Sequence, residues 1–137
     1  MAPITPAHHR RRTALDTVLL LHERLATSVM LFWAAVGIWG VVSWFRGASV
    51  SGSFAGALVI GEVLVIAQVA AGVAIYLAGA RPAQWTHYLY GITAILVFPF
   101  VWSFFRDRDQ RQALMIYSLI ALFIAGLAIR GMTTAAT

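Results

Sequence analysis

His22 opens the segment "HERLATSVMLFWAAV" and His87 opens "HYLYGITAILVFPFV". Laid over one another, the two segments pair Ala26 with Gly91, Ser28 with Thr93, Leu31 with Leu96 and Val36 with Val101. Imidazole is the commonest metal ligand among side chains and titrates near neutral pH. Two imidazoles approaching from opposite sides can occupy both axial positions of a haem iron. On a helix, the residue four positions on shares a face one turn away. Those residues are Ala26 and Gly91, small enough to leave room for the edge of a flat macrocycle. A second reading stays open. Histidine beside Trp85, Tyr88 and Tyr90 also suits an aromatic belt at a membrane surface, and small residues also permit close helix packing. Zinc fits less well, because two histidines without a carboxylate or thiolate make a poor closed site.

Few other polar groups interrupt the apolar runs. Arg24 is placed to pair with a haem propionate or a lipid headgroup, since guanidinium binds carboxylate and phosphate alike. Glu62 falls about ten residues into a span, where an acid must be protonated, relay protons or meet another subunit. Gln68, six residues further on, suits a hydrogen bond between helices. His8 and His9 lie in a polar tail and are expected to face solvent.

These groups need a scaffold, and composition names its solvent. Of 137 residues, 61% are hydrophobic and only 10 basic and 5 acidic side chains are present. Mean hydropathy is +0.81. A soluble domain of this size carries far more charge on its surface. Four apolar runs, at about 25–45, 53–79, 88–105 and 112–129, each approach the roughly 17–25 residues that span a bilayer. None alternates as a barrel strand would. The fold class is therefore all-α and integral to a membrane: four transmembrane helices, running up-down-up-down because the connections "RGASVSG", "GARPAQ" and "RDRDQRQ" are short. Residues 1–12 read as a disordered basic tail, 13–131 as the membrane domain with 13–24 a helical lead-in, and 132–137 as a C-terminal tail. The histidine alignment, with "AGVAI" (71–75) echoed by "AGLAI" (125–129), suggests one helical hairpin used twice. The aromatic group Phe98, Phe100, Trp102, Phe104 and Phe105 is expected to face lipid.

The chain has no cysteine, which excludes disulfides, thiolate metal sites and c-type haem attachment. Every basic residue is arginine, dispersed over tail and loops, so the pI of 10.8 reflects membrane topology and anionic headgroups rather than nucleic acid.

The succession "LLHERL", then "AQVAAGVAI", then "WTHYLYG" resembles one half of the haem A synthase family, over about residues 20–90. Each half of that family is a four-helix bundle whose histidines bind haem, so the resemblance implies His22 and His87 as an axial pair. The order His22-Glu23-Arg24 departs from the family's Glu-x-x-His-Arg, and its extracellular cysteines are missing. The resemblance thus points to a binding site more than to an activity.

The expectation is a cytochrome b-like electron-transfer subunit with haem b between His22 and His87, working with a quinone, with other membrane subunits or as a homodimer. The alternative is a cofactor-free accessory subunit of a larger respiratory or photosynthetic complex. A transporter ranks third. Six arginines on the side of the termini against four on the other favour cytoplasmic termini in a bacterial inner membrane. Single cysteines at Ala48 and Ala80 will then react with an impermeant reagent from opposite sides, Ala48 from the periplasm. Labelling of Ala80 from the periplasm reverses this orientation.

Overall fold

The computed structural model describes Pro3 and residues 5–136. The described residues form four helices: α1 (Pro6–Phe45), α2 (Gly52–Leu77), α3 (Thr86–Phe105) and α4 (Gln110–Ala136). All four are long and apolar enough to cross a membrane, so the chain is an integral membrane protein of the all-α class. With no water to satisfy amides in the bilayer core, helices keep every backbone bond internal.

α1 has 40 residues, which at about 1.5 Å each is roughly twice the thickness of the hydrocarbon core. Residues 6–12, expected in a disordered tail, are its first turns. Pro6 stands at the start of the helix, where its fixed φ is already helical. Extending a helix that the span has nucleated costs little. Residues 132–136, in the C-terminal tail, are the last turns of α4. Met1, Ala2, Ile4 and Thr137 lie outside the described residues.

The α1 and α2 ends share one capping device. Gly47 (φ +83°) and Gly79 (φ +96°) adopt the left-handed conformation that terminates a helix. Ala48 N–H donates to Ser43 O, and Ala80 N–H donates to Ile75 O, satisfying carbonyls that the helix ends would orphan. At the start of α2, the Ser51 hydroxyl accepts from Phe54 N–H at 3.1 Å.

α1 packs on α2 and most extensively on α4; α3 packs on α4 and only thinly on α2, leaving α1 and α3 on a diagonal. The α1–α4 seam is close because glycines line it. A Cβ at Gly37 would stand 2.6 Å from Leu122 Cδ2. One at Gly40 would collide with Ser118 Oγ and approach the Phe54 ring to 2.8 Å.

The core gathers toward the end where α1 stops and α2 begins. Trp33, Phe54, Leu58, Leu114, Tyr117 and Ile124 are fully buried there. The Trp33 indole donates to Gly61 O at 3.2 Å, and Gly61 lets the ring lie against the α2 backbone. Phe98, expected to face lipid, is instead buried, its ring 5.7 Å from Trp33 and 6.1 Å from Tyr117. Trp102 also turns inward and stacks on Tyr117 at 5.3 Å. Positions 98 and 102 share one helical face, whereas Phe100 and Phe104 share another and are exposed.

Gly40→Val will lower unfolding free energy by about 1–3 kcal/mol through overpacking. Gly126→Ala, whose Cβ meets nothing within 4 Å, will cost nothing. Denaturant titration of both variants in detergent checks the difference.

Candidate functional site: a histidine pair held by four helices

The core stripe of α1 runs through Val29, Trp33 and Val36, and His22 occupies the same stripe two turns earlier. On α3, stepping back from buried Phe98 in turns of three or four residues reaches Ala94, Gly91 and His87. Both histidines therefore sit where a core side chain would sit, at one end of the bundle. The diagonal between α1 and α3 brings them together. Their ring centroids are 6.0 Å apart with planes inclined at 68°.

Each ring is anchored by a different neighbouring helix. His22 Nδ1 lies 3.1 Å from the main-chain oxygen of Gln68 in α2. His87 Nδ1 lies 2.9 Å from the main-chain oxygen of Gly131 in α4. A carbonyl only accepts, so in both rings Nδ1–H donates, and in the neutral imidazole Nε2 then keeps its lone pair. All four helices thus contribute one group each: two imidazoles and two carbonyls. Gly72 explains how His22 gets so near α2. It lies one turn beyond Gln68, and a Cβ there would stand 3.2 Å from His22 Cε1.

The Gln68 side chain joins the group. Its Nε2 is 3.5 Å from His22 Nε2, a long and weak approach of an amide donor to the free ring nitrogen. Its Oε1 is buried without a hydrogen-bond partner. One end of the amide therefore faces His22 while the other leaves an acceptor vacant.

This geometry can be compared with what a shared metal needs. Metal–nitrogen bonds of about 2.0 Å, plus about 1.1 Å from nitrogen to ring centre on each side, put two trans imidazoles about 6.2 Å apart. The separation of 6.0 Å lies close to that value, and it is also an edge-contact distance for two rings. A donor Nδ1–H on a backbone carbonyl is the outer-shell arrangement that fixes the tautomer of a ligating histidine. Among the described residues, no three His, Cys, Asp or Glu side chains converge on one point. The pair suits a ligand that brings its own equatorial donors.

The other expected residues divide. Ala26 is half-buried one turn from His22, and a methyl on Gly91 would meet nothing within 4 Å, so space beside α3 is open. Arg24 is not brought into the group. It is exposed and, two residues on, lies about 200° around α1 from His22. Glu62 is half-buried, with Oε2 lacking a partner, about 9 Å along α2 from Gln68. His8 and His9 are exposed on the first turns of α1. Gly72 and Gly131 escaped the sequence reading as site residues. The spacing Gln68–Gly72, one turn apart on α2, is the signal that could have found the first; a backbone acceptor such as Gly131 leaves no sequence signal.

No family model, curated protein or solved structure matches this chain. The site's chemistry is accordingly read from its own atoms.

In metal-free protein, both His22 and His87 will be in the Nδ1–H tautomer. Nitrogen-15 chemical shifts of labelled imidazoles in detergent distinguish it directly, and an Nε2–H tautomer at either ring would contradict the carbonyl anchoring.

Proposed function

We propose that the chain is a b-type cytochrome subunit that binds one haem b through Nε2 of His22 and Nε2 of His87. The observation that carries this reading is the pairing of two imidazoles from diagonal helices at 6.0 Å, each with Nδ1 committed to a main-chain carbonyl. Bound haem would supply a one-electron iron couple whose potential depends on the axial ligands, outer hydrogen bonds and burial.

The protein's own residues do the remaining work. The Gln68 and Gly131 carbonyls hold the two rings in one tautomer and orientation. Hydrogen bonding through Nδ1–H raises the basicity of Nε2 and so strengthens it as a ligand. The thin α2–α3 seam and the open space at Gly91 support accommodation of a macrocycle edge on that side. With haem bound, the Gln68 amide would no longer approach His22 Nε2. Arg24, on the outer face of α1, is left to the headgroup region. The kinship to one half of haem A synthase is part of this proposal. So are a quinone, a second copy or another membrane subunit as electron partner, and a bacterial inner membrane with cytoplasmic termini.

Protein purified from a haem-replete host will show a Soret band with a low-spin spectrum. His22→Ala and His87→Ala will each abolish or strongly shift it, to a similar extent, while His8→Ala and His9→Ala leave it unchanged. Gly72→Leu will reduce haem content by displacing His22. Protein that carries no Soret absorbance with its membrane partners still bound removes the cytochrome reading. The cofactor-free accessory subunit then takes its place.

A further inference from the structure

Where α1 leaves the bundle, a groove of about 360 Å³ runs between its first turns and the end of α2. Its upper part is lined by His8, Arg11 and Arg12, and its floor by Leu15, Val18 and Ala74. Neither Arg11 nor Arg12 lies within ion-pair distance of a carboxylate among the described residues, although Asp16 follows Arg12 by one turn. The groove is cationic at one end and apolar at the other.

The groups around it match that division. Tyr76, Trp85 and Tyr88 form an aromatic belt at this end of the bundle, with the Tyr76 and Tyr88 rings 5.9 Å apart. Ala78, at the end of α2, lines the groove together with Leu15. Arg12 and Arg11 lie three and four residues outward, about 4–6 Å along the helix. Two guanidiniums therefore stand outward of an apolar channel, on its headgroup side.

From this placement we infer that the groove is a binding site for an anionic phospholipid. Its phosphate would be held by Arg11 and Arg12 and one acyl chain laid along Leu15, Val18 and Ala74. Arginine binds phosphate through its planar fork, and anionic lipid attracts juxtamembrane basic residues. The apolar floor selects a lipid over a free phosphate, which would leave it empty. This site is separate from the histidine pair, and its occupancy does not depend on haem.

The test is native mass spectrometry and lipid exchange of full-length protein in nanodiscs of phosphatidylcholine doped with phosphatidylglycerol. Wild type will retain phosphatidylglycerol preferentially. The double variant Arg11→Gln/Arg12→Gln will lose that preference by about tenfold or more, whereas Arg10→Gln, which removes a neighbouring charge off the groove, will keep it. Ala74→Phe will fill the floor and also lose it, with Arg11 and Arg12 intact. Inorganic phosphate will not compete. Equal loss in Arg10→Gln, or full retention in Ala74→Phe, overturns the site and leaves diffuse attraction to a charged surface. Variant melting temperatures matching wild type in phosphatidylcholine alone confirm that the fold is unchanged.

Discussion

The close approach of α1 to α4 is the contact on which the bundle depends. Gly37 and Gly40 let the α4 side chains Leu122 and Ser118 reach the α1 backbone. In a bilayer, apolar side chains gain nothing by leaving lipid for protein, so association rests on packing and on hydrogen bonds between helices. Small residues at one seam therefore decide which helices are neighbours. Once α1 lies on α4, short connections place α2 and α3 on the flanks and set α1 and α3 on the diagonal. The histidine pair exists only in that arrangement.

The two ends of the bundle are built differently. Trp33, Phe54, Leu58, Phe98, Leu114 and Tyr117 fill one end as a jigsaw of rings and branched chains. At the other end the interior is polar: two imidazoles, an amide and two carbonyls. Buried polar groups are tolerated where they satisfy one another, and the vacant Gln68 Oε1, like the Tyr117 hydroxyl at the packed end, marks a place where that satisfaction is incomplete. Opening of the bundle will therefore begin at the histidine end, where little apolar packing opposes it.

Much of this was legible in the sequence. Four runs almost without charge gave the helices, and equal placement of His22 and His87 ahead of spans of the same direction put both rings at one depth. Helix faces were harder to read. A helix surrounded by lipid is apolar on every side, so no polar contrast marks its inner stripe. Phe98 and Trp102 consequently looked the same as Phe100 and Phe104. The lead-in helix was foreseen but its start was not, because charge and proline argue for a tail while continuity with a long helix argues against one. Gly91 was singled out by its alignment with Ala26. Gly72, whose added Cβ would crowd a histidine, aligns with Gly126 in the second hairpin and stands one turn from Gln68, but only the packing of α2 beside α1 gives that spacing a meaning.

The anchors of the two imidazoles are main-chain atoms. A main-chain carbonyl is encoded at every position, so no codon change at 68 or 131 deletes it. Replacing Gln68 with any residue but proline removes the amide yet leaves the carbonyl that accepts from His22 Nδ1. A substitution scan would thus score the ring orientation as dispensable while the helices supply it throughout. The determinants would surface only indirectly, at Gly72, where any side chain crowds the ring, and at positions that shift α2 or α4 along its axis. Half of this site is written in the fold and cannot be found by changing its letters.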